Sequence, residues 1–289
     1  MVQGMSEQSH NPRRYSYRRA VGGSQVQPYE VASGHVPAPP LHGEVIVAAS
    51  TDEVIDRLAA DLVVHAENCV RQFGDFHLAL SGGSTPQPLY ERLMYDPNYR
   101  RLPWRRTHLW IVDERSVPFD SPQSNFRMID ETIVDHADIP REQVHPIFAQ
   151  SATAAADYER ELREWLAWRE KGQDRLDFVL LGMGADGHTA SLFPHEDALR
   201  ENARLVRSVV YPPVNPPERV TMTYPLINSA RFIAVMITGS SKAPIVQRLA
   251  TGVDSREELP IKGVAPLNGE LRWYLDAAAC GVSNPARGA

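Results

Sequence analysis

Four short stretches of this chain set acids, bases, hydroxyls and glycines directly behind apolar runs. In 180–194, LLGMGADGHTASLFP, His188 follows Asp186 in a turn that Gly182, Gly184 and Gly187 allow to bend sharply. An imidazole that is neutral near pH 7 can take a proton from water, although a lone histidine in a turn is also an ordinary structural residue. In 81–90, SGGSTPQPLY, Gly82 and Gly83 supply a tight turn, Ser84 and Thr85 supply hydroxyls, and Pro86 suits the first turn of a helix. Backbone N–H groups at that positive helix end would hold a phosphate. In DERSVPFDSPQSN, Asp113, Glu114 and Arg115 abut an apolar strand, either as a solvated turn with its own ion pair or with one of them turned into a cleft. Ser124 and Asn125 read as caps for the helix that follows. Lys242, in GSSK, stands in the first turn of a helix, where the dipole disfavours a cation and a bound anion would compensate.

Other chemistries lack their residues. The SGGSTP turn is neither a G-x-x-x-x-G-K-[ST] loop nor a G-x-G-x-x-G fingerprint, which argues against a nucleoside triphosphate or dinucleotide there, and no G-x-S-x-G elbow presents a nucleophilic serine. His188 and His195 are not at a usual zinc spacing. The expectation is therefore no cofactor and no metal.

These stretches need strand ends to carry them. EVIVAAS, FHLALS, THLWIV, RLDFVLLGM and RFIAVMIT read as strands, the last two as buried on both faces. Between them, Ser50 and Glu53 read as a capping box for a helix to about Phe73, with Val54, Leu58, Leu62 and Val63 as its apolar face. PQPLYERLM, SNFRMIDETIVDH, SSKAPIVQRLA and the long SATAAADYERELREWLAWREKG also read as helices, the last stopping at Gly172. TASLF is expected to begin a helix, ARLVRSVVY and RVTMTYPLI to be extended, and NGELRWYLDAAAC to be a closing helix. The alternation predicts an α/β fold, a Rossmann-like three-layer sandwich on a mostly parallel central sheet, with ligands at the carboxyl ends of its strands.

A chain of 289 residues, 43% hydrophobic and 23% charged, can bury a large core, and no composition break after residue 42 marks a second domain. Residues 1–41 are expected to be a flexible leader and 42–289 a single α/β domain. A net charge of −6 gives no footprint for nucleic acid. Cys69 and Cys280 are too few for a disulfide framework, and no run is apolar enough to span a membrane. The protein is expected to be a cytoplasmic monomer that binds neither nucleic acid nor membrane.

Together SGGSTP, DERSVPFDSPQSN, LLGMGADGHTASLFP, PPERVTMTYPLIN, GSSKAPIVQRL and LRWYLDAAA closely resemble the 6-phosphogluconolactonase family, in order and across roughly residues 42 to 280. The resemblance implies hydrolysis of 6-phospho-D-glucono-1,5-lactone to 6-phosphogluconate, in the oxidative pentose phosphate pathway, with a phosphorylated sugar lactone as partner and no required nucleotide or metal. It also implies that His188 is the catalytic base, that Gly82, Gly83, Ser84 and Thr85 bind phosphate with Arg115 and Lys242, and that Arg219 is a further contact for the acidic substrate. Asp113 is preferred over Asp186 as the carboxylate that orients His188, because Asp186 could be committed to its own turn. His195 stands where the family commonly has glycine, and GSS precedes Lys242 where an acid often appears. Two alternatives remain: a glucosamine-6-phosphate isomerase/deaminase, which usually carries a glutamate in the segment after the histidine where this chain reads HTASLFPHE, and a non-catalytic sugar-phosphate-binding regulator.

Overall fold

In the computed structural model, residues 36–282 are described. The expected leader therefore lies outside the described residues except for 36–41, which form neither helix nor strand, and 283–289 also lie outside. Along the chain run β1 (Glu44–Ala48), α1 (Thr51–Phe73), β2 (Phe76–Leu80), α2 (Gln87–Tyr95), β3 (Thr107–Ile111), β4 (Asp113–Arg115), α3 (Asn125–Ile129), β5 (Val144–His145), α4 (Ala154–Leu166), β6 (Phe178–Leu181), β7 (Val206–Val210), β8 (Glu218–Met222), α5 (Tyr224–Ile227), β9 (Phe232–Ile237), α6 (Ala243–Ala250) and β10 (Glu270–Asp276).

Seven strands pair in the order β1-β10-β9-β6-β2-β3-β5, every pair parallel. Each residue of β2, β3, β6 and β9 is buried, as the continuous apolar runs require when both faces of a sheet are covered. Ser50 caps α1 as expected, its Oγ accepting from Glu53 N at 3.2 Å, while Glu53 reaches one residue past the cap and accepts from Ala49 N at 3.1 Å. Among the described residues no helix is long and apolar enough to cross a membrane.

A second, antiparallel sheet, β4-β8-β7, carries the other half of the site. Val112 joins the two sheets, since its N–H donates to Leu80 O at 3.0 Å and its carbonyl accepts from Met222 N at 2.9 Å. One residue thus ends the parallel strand β3 and starts the strand bearing Asp113 and Arg115.

Four local expectations fail. RVTMTYPLI, expected to be extended, is strand only to Met222 and turns helical over Tyr224–Ile227. The expected closing helix is β10, which lies between β1 and β9 and is buried over Trp273–Asp276; pairing on both sides overrides the helix-forming content of the segment. TASLF forms no helix. Thr189 and Leu192 bridge across a tight turn in which Ala190 takes a φ of 50°. Finally α4 stops at Leu166, short of Gly172, because Arg169 is drawn inward to Asp75 at 2.5 Å and to Asp177 at 2.7 Å.

Candidate functional site

The carboxyl ends of β2, β6 and β9, with the edge made by β4 and β8, enclose a cleft of about 280 Å³. Every residue nominated from the sequence lines it except Asp186, which stands behind His188. A larger cleft of about 880 Å³ lies beyond β1 and β10, but its one buried acid, Asp276, is already occupied by Thr51, Gly239 N and Ala279 N.

The β6 turn presents the imidazole. Asp186 Oδ1 accepts from His188 N at 3.1 Å and lies 2.6 Å from His188 Nδ1. A carboxylate only accepts, so the ring proton sits on Nδ1 and the Nε2 lone pair is left for chemistry. Burial acts to raise the Asp186 carboxyl, and the hydrogen bond and charge of His188 outweigh it, holding Asp186 below the usual carboxylate range. The ring packs on Phe193 with centroids 4.8 Å apart. Gly184 leaves room for it: a Cβ there would lie 2.1 Å from His188 Nδ1.

The preference for Asp113 as the orienting group is thereby overturned. Asp113 is 7% exposed and accepts from Ser191 Oγ at 2.6 Å through Oδ2, while the carboxylate two residues before His188 reaches the ring because the turn folds back on itself. Glycines on both sides of Asp186 make that reversal possible, and Gly187 takes a φ of 83°.

At the end of β2, Gly83 takes a φ of 97°, the left-handed region that favours glycine. Among the described residues, nothing accepts from the backbone amides of Gly82, Gly83, Ser84 or Thr85. Those donors stand at the head of α2, where Pro86 needs no partner for a missing N–H.

The β4–β8 register sets Arg115 directly opposite Arg219. Neither makes an ion pair among the described residues: Arg115 Nη1 donates to Gln123 O at 2.6 Å and Arg219 Nε to Pro216 O at 2.8 Å. Like charges facing each other across strands repel unless an anion sits between them. Burial pulls the Arg219 guanidinium below its ordinary range and Arg115 adds to that, with Asp113 opposing. On the far side Lys242 Nζ donates to Met183 O at 2.6 Å, and burial lowers its pKa against the pull of Asp186. The cleft therefore has three cationic side chains, a bank of free amides and one imidazole with an open lone pair.

Beneath Arg115, Glu114 is 1% exposed and accepts from Ser124 Oγ and the amides of Arg115, Asn125 and Phe126. Burial raises its pKa despite those bonds. It is an anchor for the strand end, not a free acid. Sequence reasoning missed Ser191 and Asn125; the first lay in a segment read as helix, and the second was read as a cap.

Among the described residues one group of possible metal ligands, Asp75, His77 and His108, lies at the opposite end of the sheet. Trp110 Nε1, which can only donate, bonds to His77 Nδ1 at 3.0 Å, so His77 carries its proton on Nε2, the atom 3.5 Å from Asp75. That nitrogen has no lone pair to offer a cation.

The family of glucosamine-6-phosphate isomerases and 6-phosphogluconolactonases matches residues 49–273. The human GDH/6PGL endoplasmic bifunctional protein is 38% identical over 271 residues, 88% of this chain, and the chain spans only 33% of that relative. The 6-phosphogluconolactonase of Nostoc sp. is 38% identical over 237 residues, covering 81% of this chain and 92% of the relative. Among solved structures, 6-phosphogluconolactonase from Thermotoga maritima superposes with a TM-score of 0.68 at 29% identity, covering 81% of this chain and 99% of the other.

Proposed function

Because the chain belongs to the glucosamine-6-phosphate isomerase/6-phosphogluconolactonase family, we propose that it hydrolyses 6-phospho-D-glucono-1,5-lactone to 6-phosphogluconate. The observation that carries this reading is the His188–Asp186 pair, whose open Nε2 shares one cleft with the free amides of 82–85 and three cations.

In this reading the phosphate is held by the amides of Gly82–Thr85 and the hydroxyls of Ser84 and Thr85. Arg115, Arg219 and Lys242 offset its charge, so binding far from the reacting bond places the lactone carbonyl. His188 Nε2 removes a proton from water as the water oxygen bonds to C1. The resulting tetrahedral oxyanion is stabilised by the cleft's preorganised donors. It collapses with cleavage of the bond from C1 to the ring oxygen, which takes the proton from His188 and becomes the C5 hydroxyl. Asp186 keeps the imidazole in the tautomer this needs and stabilises its cation. Asp113, engaged by Ser191, serves the strand end and the cleft wall.

The reading includes a single catalytic domain over 42–289 behind the 1–41 leader, acting as a cytoplasmic monomer without metal or nucleotide. Sedimentation velocity and cell fractionation check those parts. The activity itself is tested with freshly generated 6-phosphogluconolactone, in a coupled assay fast enough to outrun spontaneous hydrolysis, against unphosphorylated glucono-1,5-lactone. A strong preference for the phosphorylated lactone is expected. Ammonia release from glucosamine 6-phosphate, or sugar-phosphate binding with no turnover, would replace the lactonase reading.

A further inference from the structure

Asn125 sits at the first position of α3, but its side chain does not cap that helix. Ser124 does so, accepting from Arg127 N at 3.1 Å, and Asn125's own N–H goes to Glu114 at 2.8 Å. The Asn125 carboxamide turns instead toward the cleft, which it lines, and is 2% exposed. Its Nδ2 donates to the Asp113 carbonyl at 2.6 Å, which also fixes which way round the amide lies. Its Oδ1 is shut from solvent and has no hydrogen-bond partner among the described residues. Buried amide oxygens are rarely left unpaired, so a residue held there at that cost needs a reason.

The reason lies in what the two ends touch. On one side is the start of β4, from which Arg115 projects on the same face two residues later. On the other is Gly82, where a Cβ would fall 1.9 Å from Asn125 Oδ1 and 2.1 Å from its Cγ. Gly82 is therefore glycine because of this approach; the positive φ of the turn belongs to Gly83. We propose that Asn125 is a positioning residue, a spacer that sets the distance between the amide cradle of 82–85 and the Arg115–Arg219 pair. The inference rests on the lactonase reading only for its substrate. A spacer of this kind matters to the phosphate end of the substrate and not to water activation at His188, which another strand carries.

The test compares Asn125→Ala, Asn125→Gly, Gly82→Ala and the Gly82→Ala/Asn125→Gly double variant with wild type. The readouts are KM and kcat on 6-phosphogluconolactone, kcat/KM on the unphosphorylated lactone, and Tm. The single variants are expected to raise KM for the phosphorylated lactone by about tenfold or more with kcat within about threefold, and the Asn125 variants to leave the unphosphorylated lactone unchanged. In the double variant Gly82→Ala should add little to Asn125→Gly, since the group it collides with has gone. An unchanged KM in a folded variant overturns the proposal, as does an equal loss on both lactones that tracks a fall in Tm, because that is merely structural behaviour. If wild type hydrolyses no lactone, the activity reading falls by itself. The spacer is then decided by inorganic phosphate affinity in the same proteins, a loss of about fivefold or more supporting it and no change overturning it.

Discussion

Gly184 and His188 occupy the same space: a Cβ on Gly184 would lie 2.1 Å from His188 Nδ1 and 2.6 Å from Asp186 Oδ1. The glycine is needed for the histidine's ring and not for its own backbone, since its φ is not in the left-handed region.

Gly184→Ala should therefore displace the imidazole while the fold survives. A ring moved by about 1 Å is expected to cost on the order of 100-fold in kcat. Steady-state kinetics alongside thermal melting separates the two, and wild-type kcat in the alanine variant would show that the ring's placement does not limit turnover.

Replacing the base itself should act on chemistry alone. His188→Asn is expected to lower kcat by about 10²–10⁴-fold while 6-phosphogluconate affinity, measured calorimetrically, stays close to wild type. Asp186→Ala should follow the same pattern to a smaller degree, because it frees the ring without removing it. Asp113→Asn, away from the ring, should affect kcat less than Asp186→Ala does.

Lys242 should govern binding and its pH dependence. Burial lowers its pKa, so the cation that helps hold the anionic substrate is lost as pH rises, and earlier than for an ordinary lysine. Affinity for 6-phosphogluconate should weaken on the alkaline side, Lys242→Arg should flatten that limb, and Lys242→Ala should raise KM with a modest effect on kcat. Binding isotherms across alkaline pH check each point.

Acid should destabilise the fold through its buried imidazoles. Burial, with His77 and His145 nearby, lowers His108 to about 3, and burial lowers His77 as well. Below the ordinary histidine pKa the unfolded chain binds protons that the folded one refuses, so stability falls with falling pH, by up to about 1.4 kcal/mol per unit per histidine. For His108 the window runs from its unfolded value of 6.5 down to about 3. Denaturation midpoints over that range should fall steadily, and His108→Gln should reduce the slope. A slope unchanged in the variant would remove His108 from the explanation.

Much of this was legible in order along the chain. FHLAL and THLWI read as strands, FVLL and FIAVMI as strands covered on both faces, and the polar residues at their ends had to face whatever the sheet binds. The helical reading of ELRWYLD failed because a seven-residue segment with apolar residues at both spacings takes its conformation from its neighbours, here β1 and β9. The helix expected to reach Gly172 failed for a similar reason, since Arg169 finds its acids just before two neighbouring strands, Asp177 eight residues on and Asp75 94 residues back.

The sequence by itself determined which chemical groups are available and where each meets a strand end: the SGGST amides, the DER acids and arginine, the imidazole of GADGHT and the lysine of GSSK. Local rules of apolar run length, glycine placement and helix entry act within a few residues, so they are written in the chain. Only the tertiary structure decided the partners. It gave His188 to Asp186 and Asp113 to Ser191, opposed Arg115 to Arg219, and set Asn125 against Gly82. Those pairings depend on turn reversals, on antiparallel register and on contacts across 43 residues of chain, which no local pattern encodes.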